Sequence, residues 1–183
     1  MGLTQTPVCD FGWAAPDFSL ATPSGDSHSR DSLMGPNGLM IAFICNHCPY
    51  VIAVAERMVE DFTALQAEGI GVAAIMSNDY HAYPSDTPDK MSAFAQRYGF
   101  TFPYLVDDTQ QIARAYGAIC TPDFFGFDAS GGLQYRGRLD DAKMGDASSR
   151  KPELLTAMRA VVQSGQGPEP QIPSMGCSIK WAA

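Results

Sequence analysis

The sequence has no apolar run long enough to cross a membrane, no cluster of basic residues and no internal repeat. A membrane-spanning helix needs about 20 consecutive apolar residues. The formal net charge of −8 argues against a nucleic-acid-binding surface. The first residues show neither the basic start nor the apolar stretch of a secretory signal peptide. We therefore expect a cytoplasmic protein that binds neither membrane nor nucleic acid.

The sequence has five cysteines, and this odd number disfavours a full framework of disulfides. Two of them, Cys45 and Cys48, form a Cys-x-x-Cys motif. A zinc site normally needs a second Cys/His pair, which the sequence lacks, and a c-type haem site needs histidine where Pro49 stands. A structural disulfide or two buried thiols remain as alternatives. A redox pair is favoured because the motif stands at a strand-to-helix junction, and because structural disulfides are rare in the cytosol.

The position of the motif follows from the hydrophobic pattern on either side. Residues 39–44 are a continuous apolar run, which is typical of a strand buried on both faces. After Pro49, apolar residues recur at helical spacing; these are Val51, Val54, Ala55, Met58, Phe62 and Leu65. The two cysteines are therefore predicted in the first helical turn or just before it. Residues three apart there are about 5–6 Å apart, which a disulfide can span.

A helix start also favours negative charge, because its first N–H groups are unpaired and the helix dipole is positive there. We therefore expect the pKa of the leading cysteine, Cys45, to fall below the usual value of about 8.5. His47 lies between the cysteines and would add positive charge when protonated. A thiolate with a second thiol within reach is a two-electron redox switch.

The remaining pattern predicts a single domain over residues 1–183, with an N-terminal extension over 1–38. The extended C-terminal tail, 166–183, is rich in proline and is expected to pack back on the domain. Further strands are predicted at 70–76 and 102–106, and a hairpin is predicted whose second strand is 133–139. One helix is predicted at about 49–68, and three more are predicted to start near residues 88, 107 and 152. The polar loop 77–88 follows a strand and contains Tyr80, His81 and Tyr83. These three side chains either face the cysteines or form a solvated loop.

The order of elements and several short stretches resemble the thioredoxin superfamily. The matching stretches are residues 15–18, 45–51, 77–79, 116–124, 135–137 and 176–181. More narrowly, the sequence is similar to the peroxiredoxin-like group, the alkyl hydroperoxide reductase/thiol-specific antioxidant proteins. The resemblance implies an α/β, thioredoxin-like fold with a mixed central sheet flanked by helices.

The resemblance also implies a thiol–disulfide oxidoreductase that acts on protein or small-molecule disulfides, works without a cofactor, and is a monomer or a homodimer. Cys45 would attack and Cys48 would resolve the mixed disulfide. Pro122 matches a cis-proline that lies against the cysteines, so the bond from Thr121 to Pro122 is predicted to be cis, and the backbone before it free to pair with a substrate peptide. The residues expected near the site are Asn46, His47, Pro49, Cys120, Thr121 and Pro122.

Two other functions stay open. In peroxiredoxins the motif is Thr-x-x-Cys-Pro, so Cys48 would attack peroxides, with Cys45 in place of the threonine and Ile41 in place of an expected proline. Arg136 or Arg138 would then stabilise the anion; otherwise both are surface charges of the hairpin.

The other possibility is a copper or zinc site, although the leading interpretation expects no metal. Its ligands would be Cys45, Cys48, Cys120 and His47 or His81, since thiolates suit both metals. Cys9 and Cys177, near opposite ends, either pair with each other, or Cys177 reaches Cys120, or both are free.

Overall fold

The structure is a computed structural model that describes residues 2–183; Met1, the first residue of the predicted domain, lies outside them. The strands are β1 (Leu3–Gln5), β2 (Ser19–Ala21), β3 (Ser27–Ser29), β4 (Gly38–Phe43), β5 (Ile70–Met76), β6 (Tyr104–Val106), β7 (Cys120–Thr121), β8 (Asp123–Phe127), β9 (Leu133–Tyr135) and β10 (Met175–Ser178). The helices are α1 (Arg30–Leu33), α2 (Pro49–Ala67), α3 (Pro88–Tyr98), α4 (Gln111–Tyr116) and α5 (Glu153–Ser164), with a 3₁₀ turn at Pro84–Asp86. No helix within residues 2–183 has the length and apolar character to cross a bilayer.

The predicted mixed sheet is confirmed. Within residues 2–183 it has seven strands in the order β3-β2-β6-β5-β4-β8-β9. Strands β4, β5 and β6 run parallel, whereas β8 is antiparallel to β4 and to β9. The parallel connection from β4 to β5 is made by α2, as the strand–helix–strand pattern predicted.

Strand β4 lies in the middle of this sheet and is buried along its whole length. Its side chains alternate between two hydrophobic clusters. Met40 and Ala42 pack with α2 and α5 on one face, and Leu39, Ile41 and Phe43 pack with α4 and the N-terminal segment on the other. Both faces of the sheet are therefore covered, and the end of β4 is held firmly where the cysteine motif begins.

The second strand of the hairpin is shorter than predicted, because β9 ends at Tyr135 rather than continuing to residue 139. Beyond it the chain pairs with the C-terminal tail: the Arg136 N–H donates to the Gln171 side chain, and the Arg138 N–H donates to the Ile172 carbonyl. Beyond Tyr135, the tail thus replaces β8 as the hydrogen-bonding partner of the chain.

The tail also forms a small second sheet, in which β10 lies between β1 and β7. Both neighbours are antiparallel to β10. A Cβ atom at Gly176 would lie 1.9 Å from the Thr121 carbonyl oxygen, so only glycine allows this close approach. This contact brings the tail directly against the residues that precede Pro122.

Candidate active site

The two motif cysteines lie between the end of β4 and the start of α2. Helix α2 begins at Pro49, and Cys48 is its N-cap residue, whereas Cys45 lies four residues before Pro49. Cys45 is 1% exposed and Cys48 is 0% exposed. The helix start, with its unpaired N–H groups, therefore lies at Cys48 and not at the leading cysteine.

Strand β7 and the proline after it also lie at the site, as the resemblance implied. The peptide bond between Thr121 and Pro122 is cis, as predicted. Cys45 Sγ is 3.5 Å from Thr121 Oγ1, and Cys48 Sγ is 3.2 Å from the Thr121 carbonyl oxygen. The thiol of Cys120 instead faces the Pro122 carbonyl oxygen, at 3.6 Å.

A third thiol that the sequence did not place here also reaches the pair. Cys177 Sγ lies 3.0 Å from Cys48 Sγ. All five cysteines of the chain are free thiols. Of the three possibilities for Cys9 and Cys177, the structure therefore shows the one in which both are free. The resemblance implied that the backbone of Thr121 is free to pair with a substrate peptide. This prediction was wrong, because Thr121 pairs with Cys177 of β10.

The negative charge of the site belongs on Cys48. The Cys45 thiol donates a hydrogen bond to the Cys48 sulfur, and the thiol and backbone N–H of Cys177 also hydrogen-bond to it. Together these hydrogen bonds outweigh the effect of burial, which favours the neutral thiol, and lower the pKa of Cys48 to about 4. The same hydrogen bond, burial and the nearby Asp86 carboxylate raise the pKa of Cys45. The expectation of an acidic Cys45 was therefore wrong, because the stabilising donors and the helix start surround the other sulfur.

Asp86, which the sequence analysis missed, organises the loop between the cysteines. Its fully buried carboxylate accepts hydrogen bonds from the Asn46 backbone N–H, at 2.8 Å, and from Asn78 Nδ2, at 2.9 Å. His47 Nδ1 is 2.8 Å from the same carboxylate. The Asn46 side chain is held by the Tyr104 hydroxyl, which donates to its Oδ1 at 2.8 Å. The sequence analysis identified the loop 77–88 as one that could line the site. An acidic residue in that loop was the only sign in the sequence that could have pointed to Asp86.

The three side chains singled out in that loop have different positions. Tyr83 stacks on His47, with ring centroids 6.2 Å apart. His81 is exposed and lies 3.4 Å from Asp108. Tyr80 packs at the edge of the core. Of the three, Tyr83 is the one whose ring stacks on a residue of the motif.

A possible metal-binding group is present, but its members differ from those predicted. Ligand atoms of Cys45, His47 and Asp86 lie within 4.8 Å of one another. His81 is not in this group. Sulfur, imidazole and carboxylate ligands together are compatible with zinc.

The two arginines of the hairpin have different surroundings. Arg136 is 8% exposed; its guanidinium is 3.0 Å from the buried Asp123 carboxylate and lies over the Phe125 ring. Arg138 is 2.8 Å from Glu153. Arg136 is therefore a buried structural cation rather than a surface charge, and both guanidinium groups already have carboxylate partners.

Comparison with known proteins identifies the family. Residues 11–136 match the model of the AhpC/TSA family. The thiol-disulfide oxidoreductase ResA of Geobacillus thermodenitrificans (strain NG80-2) is 28% identical over 128 residues, which are 70% of this chain and 69% of that protein.

Solved structures show which fold the chain shares. An uncharacterized conserved protein from Geobacillus kaustophilus is 37% identical, with a TM-score of 0.93 over 100% of this chain and 97% of that one. The thioredoxin domain of a thiol-disulfide oxidoreductase from Bacteroides vulgatus has a TM-score of 0.64 at 12% identity, over 83% of this chain and 97% of that one, and shows the fold alone. The chain therefore has a thioredoxin-like fold and belongs to the AhpC/TSA family.

Proposed function

We propose that this protein is a thiol–disulfide oxidoreductase that uses the Cys45/Cys48 pair on protein or small-molecule disulfides. The observation that carries the proposal is the position of Cys48 as the N-cap of α2, with the Cys45 thiol hydrogen-bonded to its sulfur. This arrangement lowers the pKa of Cys48 to about 4. At neutral pH Cys48 is then a thiolate, which is the species that attacks disulfides. The similarity to ResA supports the same class of reaction.

In the proposed reaction, the Cys48 thiolate attacks one sulfur of a substrate disulfide, and the other substrate sulfur leaves as a thiolate. Cys45 then loses its proton and attacks Cys48. This step forms the Cys45–Cys48 disulfide and releases the second substrate thiol. The substrate gains two electrons, and the two cysteines lose them. The roles of the two sulfurs are thus the reverse of those implied by the thioredoxin resemblance.

A groove beside Pro122 is suited to the substrate chain. It is mainly apolar, and its lining includes Tyr50, Val54, Pro122, Phe124, Ile172 and Met175. Because Cys45 and Cys48 are buried, a substrate disulfide can reach them only if the adjoining tail or the loop at His47 moves. An extended peptide in this groove would lie next to the tail strand β10, which shares Met175 with its wall.

The test is reduction of insulin, with dithiothreitol as electron donor. Cys48→Ser should abolish the activity, because serine supplies no thiolate. Cys9→Ser is the matched control and should keep it, since Cys9 lies in the N-terminal segment, away from the site, against the hydrophobic cluster on the other face of the sheet. If Cys48→Ser retains the wild-type rate while folded, Cys48 is not the attacking sulfur.

The same thiolate favours peroxide reduction as a second candidate function. Cys48 occupies the position of the attacking cysteine in peroxiredoxins, and a thiolate is the peroxide-reactive form. Against it, Arg136 and Arg138 both have carboxylate partners. Stopped-flow measurement of hydrogen peroxide consumption by the reduced protein separates the two candidates. A rate no faster than that of free cysteine excludes the peroxidase.

A further inference from the structure

The pairing of two strands, β10 and β7, holds Cys177 against Cys48. Strand β10 runs antiparallel to β7, with Cys177 opposite Thr121 in the register. This places Cys177 Sγ 3.0 Å from Cys48 Sγ, and the Cys177 backbone N–H hydrogen-bonds to the same sulfur. A disulfide bond is about 2.05 Å long. The two sulfurs therefore need to approach by only about 1 Å to bond.

Contacts on both sides of Cys177 keep it in this position. Before it, Ser174 Oγ donates to the Pro122 carbonyl oxygen at 2.7 Å, and Gly176 lets the tail backbone lie close to Thr121. After it, the Lys180 backbone N–H donates to Asn78 Oδ1 at 2.9 Å. The tail therefore holds a thiol of its own against Cys48, separate from the Cys45 thiol.

We propose that Cys177 is a third redox-active thiol, which competes with Cys45 for Cys48. The proposal rests on the proposed function, because a substrate disulfide supplies the oxidising equivalents. After Cys48 has formed a mixed disulfide with the substrate, Cys177 loses its proton and attacks Cys48 Sγ. The Cys48–Cys177 bond forms, and the substrate sulfur leaves as a thiolate and takes up a proton. Cys45 can next attack Cys48, which forms the Cys45–Cys48 bond and frees Cys177 without net oxidation or reduction.

The other thiols are not placed for this exchange. Cys120 is fully buried, with its thiol turned to the Pro122 carbonyl, and Cys9 lies in the N-terminal segment. In the reduced protein, burial and donation to Cys48 raise the pKa of Cys177 to about 11, so it stays protonated. Once Cys48 is part of a disulfide its charge is gone, and this hydrogen bond no longer holds the proton on Cys177.

The direct test uses Cys45→Ser, which removes the motif partner. The reduced variant is treated with oxidised glutathione, and its thiols are mapped by mass spectrometry. We expect a Cys48–Cys177 disulfide and no stable glutathione adduct on Cys48. In the Cys45→Ser/Cys177→Ser double variant the adduct should persist, and release of its glutathione should be at least about tenfold slower. A persistent adduct on Cys48 of the single variant, with Cys177 still free, would overturn the proposal. Cys45→Ser/Cys9→Ser is the matched control and should behave like the single variant.

A second variant keeps every other cysteine and changes only the seat of the tail. Gly176→Ala in the Cys45→Ser background forces β10 away from Thr121, because the added Cβ would lie 1.9 Å from a backbone oxygen. Formation of the Cys48–Cys177 bond should slow by about tenfold or more. Gly145→Ala is the control, since an added Cβ there lies 3.3 Å from the Ala142 carbonyl in an exposed loop. Equal rates in the two variants, with unchanged circular dichroism, would show that the strand pairing does not position Cys177.

These outcomes are separable from those of the proposed function. Insulin reduction by the wild type tests the oxidoreductase, whereas thiol mapping after glutathione treatment tests the third thiol without needing catalysis. A Cys48–Cys177 bond in a protein that does not reduce insulin would support the exchange and refute the oxidoreductase. The reverse result would restrict the chemistry to Cys45 and Cys48.

Discussion

The ionised Cys48 makes the stability of the reduced protein depend on pH in a specific direction. The pKa of Cys48 is about 4 in the folded protein, whereas an unfolded cysteine titrates at about 8.5. Between these values the unfolded chain binds one proton that the folded chain does not, so stability rises with pH and is lost as pH falls through about 4. One proton corresponds to about 1.4 kcal/mol per pH unit. Over the two pH units from 5 to 7 the contribution of Cys48 is therefore about 3 kcal/mol.

The measurement is urea unfolding of the wild type and of Cys48→Ser at pH 5, 6 and 7, with a reductant present throughout. Other titrating groups contribute nearly equally to both proteins, so the difference between the two free energies of unfolding isolates Cys48. The raised pKa values of Cys45 and Cys177 keep both groups protonated in this range. We expect the wild type to gain about 1.4 kcal/mol per pH unit relative to the variant.

Parallel pH profiles would refute the reasoning, because they would mean that Cys48 binds its proton equally in the folded and unfolded chains. An independent readout is the ultraviolet absorbance of the thiolate, which should be present in the wild type at pH 6 and absent in Cys48→Ser. If the absorbance appears only above pH 8, the hydrogen bonds to Cys48 do not stabilise the anion.

Two further predictions concern the disulfide and the buried ion pair. The reduction potential should lie above that of thioredoxin, about −270 mV, because the Cys48 thiolate stabilises the reduced form; equilibration with glutathione buffers measures it, and a value at or below that of thioredoxin contradicts the prediction. Arg136→Ala should lower the free energy of unfolding by about 3–5 kcal/mol, because the Asp123 carboxylate stays buried without its partner. Arg138→Ala, whose Glu153 partner is partly exposed, should cost about 1 kcal/mol or less in the same urea experiment, and equal losses would refute the distinction.

Much of the fold was predictable because it follows from local periodicity. The apolar run before the motif and the helical spacing after it located β4 and α2 to within one residue at each end. The cis bond before Pro122 was predicted from the family resemblance and is present. The second strand of the hairpin was predicted too long, because alternation of apolar and polar residues does not reveal which neighbour a strand pairs with.

The sequence by itself determined the mixed α/β architecture, the strand-to-helix junction and the two thiols at that junction, since these depend on the order of nearby residues. Only the tertiary structure decided which sulfur carries the charge. Cys177 is 129 residues from Cys48 along the chain, and Asp86 is 40 residues from Asn46, yet both lie at the site. A pKa depends on the donors, charges and burial around a group in space, and no local pattern records which distant segments supply them.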